Sequence, residues 1–249
     1  METRSRAGRR RAVPKEVAEE RPGWLVSPDD RFERALGDEG FGIVAGLDEV
    51  GRGAWAGPVS VGVVVFPPDI PPPDGLRDSK MLTEDRRESL YPLITRWCTD
   101  WSVGHAGPDE CDRLGMTVAL RLAARRALAT LRRPPHAVLM DGAFDYVSDP
   151  SAETQLPGTG DVPALPEDPP HVRTVVRGDA HCVSIAAASI LAKVTRDRMM
   201  RSLSASFPAF DFDRNKGYPS PVHKTALAGF GLTSVHRRSW AFVDSMAFR

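Results

Sequence analysis

Four acidic residues stand where strand-like or helix-like runs begin or end: Asp48, Glu49, Asp141 and Asp179. Acids at the carboxyl ends of strands line the crevice of an α/β sheet. Carboxylates gathered in three dimensions repel one another unless a cation sits among them, and hard ions such as Mg2+ or Mn2+ prefer oxygen ligands. Two such ions about 4 Å apart activate a water and stabilise the leaving oxygen of a phosphodiester. Each acid also has a plainer reading. Asp141-Gly142 is a common turn pair, and Asp179 is placed to cap the helix that follows.

Asp48 and Glu49 raise a geometric difficulty. Neighbouring side chains on a strand point to opposite faces, so both reach one site only if the strand ends or bulges at Glu49. The following Gly51-Arg52-Gly53 leads us to expect such a break. Two glycines flanking one residue also let backbone amides come close to a ligand. Such amides suit a phosphate or a ribose 2′-hydroxyl, the group that separates RNA from DNA. Alone, Gly-x-Gly more often marks only a tight turn.

Of 33 basic residues only five are lysine: Lys15, Lys80, Lys193, Lys216 and Lys224. A compact ammonium meets phosphate as a point charge, unlike the guanidinium fork, so the retained lysines are weak pointers to phosphate contacts.

An α/β pattern must position these groups. Ile43 to Glu49 and Val59 to Phe66 read as a hairpin, the second a buried apolar run ended by Pro67. Thr83 caps a helix to about Trp97, Asp100 to Ala106 is a third strand, and Pro108 opens one helix through Leu131. Ala137 to Met140 and Val172 to Val176 are short strands. A long helix spans about Val183 to Leu203, and its opening Ile185-Ala186-Ala187-Ala188 lets another element approach closely. Shorter helices fall near Lys224–Gly229 and Arg238–Ala247. The sum is a mixed sheet covered by helices.

Residues 1–35, with Arg4, Arg6, Arg9, Arg10 and Arg11, read as a flexible basic arm, either a tether for nucleic acid or a solvated tail. The Pro-rich, acidic stretch 148–171 reads as a surface insertion loop. The chain of 249 residues has zero formal net charge, so any polyanion binding must come from a local patch. It lacks a run of the roughly 20 apolar residues a membrane helix needs. Three unpaired cysteines and no apolar signal core lead us to expect a reduced cytoplasmic protein.

Six ordered blocks between Gly46 and Trp240 resemble ribonuclease HII, the type 2 ribonuclease H family. They are Gly46-Leu47-Asp48-Glu49-Val50-Gly51-Arg52-Gly53 with Ala56-Gly57-Pro58-Val59; Asp78-Ser79-Lys80 with Leu82 and Arg87; and Met140-Asp141-Gly142. Then follow Arg177-Gly178-Asp179 leading into Ser184 through Asp197; Asn215-Lys216-Gly217-Tyr218 with His223; and His236-Arg237-Arg238-Ser239-Trp240. The resemblance implies a ribonuclease H-like α/β fold over 36–249, a five-stranded mixed sheet flanked by helices, with a helical C-terminal part from about 204. It implies that Asp48, Glu49, Asp141 and Asp179 are catalytic and hold Mn2+ or Mg2+. It implies that Gly51, Arg52 and Gly53 read the ribose, that Tyr218 stacks near that sugar, and that Lys80, Ser189 and Lys193 lie near phosphates. The implied activity is cleavage of RNA in RNA–DNA hybrids and on the 5′ side of ribonucleotides embedded in duplex DNA, leaving 5′-phosphate and 3′-hydroxyl ends. The expected protein is a monomer without membrane association.

The sequence departs from the family in its longer 148–171 loop and in Gly115, where the family commonly carries Asn. His223 and His236 read as structural. Two competitors remain. Another nuclease of the same fold would share the carboxylates but would not need the Gly51–Gly53 turn with Tyr218. A catalytically silent hybrid-binding protein would be expected to lack one of the four acids.

Overall fold

The computed structural model describes residues 27–148 and 169–245. Five strands form one mixed sheet in the order β3-β2-β1-β4-β5. The hairpin of β1 (Val44–Val50) and β2 (Val59–Val65) is antiparallel, and β2 pairs antiparallel with β3 (Asp100–Ala106). On the other side of β1, β4 (Ala137–Asp141) and β5 (His171–Val175) run parallel to it. Every β2 residue is buried, as its unbroken apolar run requires of a strand covered on both faces.

Helices cover both faces. One face buries Leu47, Val61, Val63 and Met140 against Leu120, Ala123, Ala124 and Ala127 of α4 (Met116–Ala129). The other meets α6 (Val183–Ser206), which also packs on α2 (Glu84–Trp97) through Leu90, Ile94 and Val194. The small-residue start of α6 does permit close approach. A side-chain carbon on Gly62 of β2 would lie 2.5 Å from the Ala188 carbonyl.

Three expectations change. The helix expected from Pro108 to Leu131 is two helices, α3 (Pro108–Leu114) and α4, because the chain turns at Gly115 with φ of 75°. The short helix expected at Lys224–Gly229 is α8 (Pro221–Phe230), with Ser220 accepting from the His223 amide. In place of the last expected helix there is only a short 3-10 turn, Val243–Ser245, among the described residues. The remaining short helices are α5 (Gly178–His181) and α7 (Phe212–Asn215).

The boundary of the expected arm also moves. Residues 1–26 lie outside the described residues, but α1 (Arg31–Asp38) packs Leu36 against Val44, Leu139 and Ile185. Glu33 accepts from the amide and hydroxyl of Ser184, at 2.8 and 2.6 Å, and so ties α1 to the first turn of α6. Most of the expected insertion, 149–168, is likewise outside the described residues. No helix of the described residues is long and apolar enough to cross a membrane.

Candidate active site

The strand break expected at Glu49 is absent. β1 keeps its register with β2 through Asp48↔Gly62, Glu49↔Val61 and Val50↔Ser60. Side chains therefore alternate as in any strand. Asp48 lies on the α6 face near Ser189, with its Oδ1 accepting from the Glu49 amide at 2.8 Å, and Glu49 lies on the α4 face, against Tyr146. Both acids lie near the C-terminal end of β1, the central strand of the sheet, and the charge of Glu49 bears on Asp48. The pairing with β2 is unbroken to that end of the strand, without a bulge.

Asp141, the last residue of β4, stands beside them, since the parallel pairing of β1 with β4 ends at Leu47↔Met140. Its Oδ1 accepts from the Gly178 amide at 2.7 Å, which draws the start of α5 to the same end of the sheet. Asp179 is the next residue, and it is buried.

The electrostatics confirm the crowding. Burial, then the charges of Glu49 and Asp141, raise the Asp48 carboxyl well above its usual range, against the Ser189 hydroxyl. Burial raises Glu49 too, with Arg52 opposing and Asp141 adding. Burial, Asp141 and Asp78 raise Asp179, and Lys80 opposes them. Lys80 Nζ is 3.2 Å from Asp179 Oδ2 and 4.0 Å from Asp78 Oδ1. Burial alone would lower its pKa, but Asp179, Asp48 and Asp78 outweigh that and hold the ammonium charged.

The donor set suits a hard divalent cation: carboxylates, with no thiolate or imidazole among them. Positive charge is what these raised carboxyls need, and Lys80 supplies part of it. The convergence expected from the sequence is nonetheless partial. Among the described residues, no three His, Cys, Asp or Glu side chains stand together as a set ready to hold an ion.

The other expected site residues fall into two groups. Gly51, Arg52, Gly53 and Tyr218 come together. The Gly51 amide donates to Tyr218 Oη at 3.2 Å, although 167 residues separate them. Gly51 has φ of 85°, and a side-chain carbon there would lie 2.2 Å from Arg196 Nε, so only glycine fits. Around Gly53, in contrast, a side-chain carbon would meet nothing within 4 Å. Arg52 and Gly53 are exposed, and Arg52 Nη1 is 3.6 Å from Glu49 Oε1.

Ser189 and Lys193 are less accessible than Lys80. Ser189 is buried, 2.7 Å from Ser79 Oγ. Lys193 Nζ is taken up by Asp197 Oδ1 at 2.7 Å. Lys80, largely exposed beside Asp179, is the lysine within reach of a ligand at this end of the sheet.

Three residues of the site were not singled out from the sequence. Tyr146 buries its phenol against Glu49, Asp48 and Asp141, and its hydroxyl has no hydrogen bond of ordinary geometry. Nothing in its surrounding sequence marks it. Arg196 and Arg237 are fully buried and bond the backbone around Gly51. Both sit inside the quoted blocks, but a burial signal for arginine does not exist in one sequence.

The ribonuclease HII family model matches residues 45–243. Ribonuclease HII of Streptomyces avermitilis is 47% identical over 220 residues, covering 88% of this chain and 86% of that protein. Among solved structures, ribonuclease H2 of Pyrococcus horikoshii OT3 is 30% identical with a TM-score of 0.64, covering 82% of this chain and 96% of that one. Bst-RNase HIII in complex with Mn2+, 18% identical with a TM-score of 0.57 and covering 94% of this chain and 75% of that one, shares the fold. A family match over this span, joined to the same five-stranded fold, shows that the chain belongs to the ribonuclease HII family and is a ribonuclease H, a hydrolase acting on RNA in RNA–DNA hybrids.

Proposed function

We propose that the chain cuts RNA–DNA hybrids, and duplex DNA on the 5′ side of an embedded ribonucleotide, with Asp48, Glu49, Asp141 and Asp179 as the metal-holding acids. The observation that carries the reading is one continuous segment. Glu49, the last of the β1 acids, and Gly51, the first residue of the turn, are two residues apart, and Tyr218 Oη meets the Gly51 amide. Chemistry and ribose recognition are thereby set by one stretch of backbone.

A divalent cation, when bound, activates a water and stabilises the leaving oxygen. Mg2+ and Mn2+ both suit the oxygen donors, and the Mn2+ complex of the ribonuclease HIII is consistent with this choice. The chain's own residues do the rest. The amides of exposed Arg52 and Gly53 donate to the ribose 2′-hydroxyl, and Tyr218 offers its ring to the sugar. Lys80 meets the phosphate. The Glu49 amide donates to Asp48 Oδ1 at 2.8 Å and the Gly178 amide to Asp141 Oδ1, each fixing one carboxylate direction.

Asp48→Asn and Asp141→Asn test the reading. Each should lower cleavage of a hybrid at least about a hundredfold while the far-ultraviolet circular dichroism stays that of wild type. Near-normal turnover in either variant with Mg2+ or Mn2+ would remove the metal assignment.

A further inference from the structure

Arg237 is wholly buried, yet no carboxylate among the described residues is hydrogen-bonded to it. Burying an uncompensated charge is costly, so what the guanidinium does there needs explaining. It bonds backbone carbonyls: Gly51 O at 2.7 Å, Arg52 O at 3.0 Å and Gly57 O at 3.1 and 3.2 Å. Trp240 lies over it, 4.9 Å from ring centre to guanidinium carbon.

Two of those carbonyls belong to the peptides that carry the Arg52 and Gly53 N–H groups. None of the peptide bonds among the described residues is cis. In a trans peptide the N–H points opposite to the C=O. A guanidinium that draws the carbonyls of Gly51 and Arg52 into the interior therefore turns the N–H groups of Arg52 and Gly53 away from it. Both residues are exposed. A full positive charge on a carbonyl also polarises its peptide and makes the N–H a stronger donor.

Arg196 works from the other side. It donates to Pro58 O at 2.8 Å, Ala56 O at 3.0 Å and Lys216 O at 2.9 Å, and lies 5.5 Å from the Tyr218 ring centre. It anchors the Tyr218 segment to the same loop that Arg237 orients.

We propose that Arg237 is a positioning residue that sets ribose selectivity by aiming the Arg52 and Gly53 amides at the 2′-hydroxyl. The inference rests on the ribose-reading role assigned above to the 51–53 turn. Arg237 itself never touches the substrate.

The test is a binding ratio, measured by fluorescence anisotropy with Mg2+ in an Asp141→Asn background that slows cutting. One duplex carries a single ribonucleotide, and the other is the same sequence in DNA. The parent should prefer the first. Arg237→Gln should reduce that preference about tenfold, the worth of one misdirected hydrogen bond, and leave all-DNA affinity within about twofold. Arg237→Lys, which keeps the charge but loses the fork, should recover part of the ratio. Leu36→Ala, destabilising at a distant buried position, should leave the ratio unchanged.

An unaltered ratio in Arg237→Gln overturns the inference, as does an equal loss in Leu36→Ala. Should Arg237→Gln fail to fold, a wild-type ratio in Arg237→Lys overturns it instead. If the parent shows no preference, the ribose-reading role itself is wrong and this inference falls with it. If the parent discriminates and Arg237→Gln does too, only the role of Arg237 fails.

Discussion

Asp48 and Glu49 are adjacent on a regular strand, and the proposed site calls on both. Each keeps the face that its position in β1 dictates, one under α6 and one under α4. The acids themselves were legible in the sequence, because oxygen ligands near strand ends are a chemical pattern. How they come together was not. The sequence shows that β1 is followed by a glycine turn, but not that pairing with β2 persists to Val50. Tyr146, Arg196 and Arg237 were missed for a related reason, since their roles depend on burial and on backbone carbonyls that no side-chain pattern reports.

Gly51 is the residue where the local account is sharpest. Its left-handed φ and the nearness of Arg196 Nε leave no room for a side chain. Gly51→Ala should cost on the order of 2 kcal/mol or more in stability and, with the turn it holds as the proposed ribose reader, should cut activity further than that loss explains. Gly53→Ala, with open space around it, should keep wild-type stability in chemical denaturation. If Gly51→Ala unfolds at the wild-type midpoint, the steric argument is wrong.

Among the elements, the long α6, both hairpin strands and the short parallel strands were readable from apolar runs and small residues. The break between α3 and α4 was not, because Gly115 sits within an otherwise helical pattern and glycine is tolerated there often enough to mislead. The tie between α1 and α6 was also hidden. Burial raises the Glu33 carboxyl despite the Ser184 bonds, and its Oε2 lacks a partner. A raised acid contributes stability below its unfolded pKa that is lost as pH rises through the folded value. Glu33→Gln should therefore flatten the fall in melting temperature with rising pH. A steeper fall would contradict the assignment.

The C-terminal part holds a second pH-dependent element. His223 Nδ1 faces the Tyr218 carbonyl at 3.0 Å, and His223 Nε2 is 3.0 Å from His236 Nε2. The carbonyl only accepts, so His223 is protonated at Nδ1 and its Nε2 takes the His236 proton. His236 Nδ1 in turn accepts from the Thr233 amide at 3.1 Å. Neither ring has room for a second proton in this chain of bonds. Burial, then the neighbouring His223, push His236 down to about 4. A depressed pKa means stability present above the unfolded value near 6.5 and lost as pH falls from there toward 4. Melting temperature should drop over that window, and His236→Gln should blunt the drop. An identical pH profile in the variant would rule this pair out as the cause.

At the scale of the whole molecule, the candidate acids stand at one end of the sheet, where β1 and β4 finish, and the basic start of the chain lies outside the described residues. Removing residues 1–26 should reduce hybrid binding mainly at low salt, because diffuse charge is screened. Removing residues 1–35 should in addition destabilise the fold, since it takes away most of α1 and the Glu33–Ser184 bonds. Equal melting temperatures for the two truncations would contradict the packing of α1.

In the proposed function, cutting depends on recognising a ribose beside the carboxylates. This dependence is tested most directly by giving the wild-type chain, with Mg2+ and separately with Mn2+, a DNA duplex containing one ribonucleotide and the same duplex without it. The account predicts a single cut on the 5′ side of the ribonucleotide and none in the all-DNA duplex. Equal cutting of both duplexes, or cutting of neither while a continuous RNA–DNA hybrid is degraded, would contradict it.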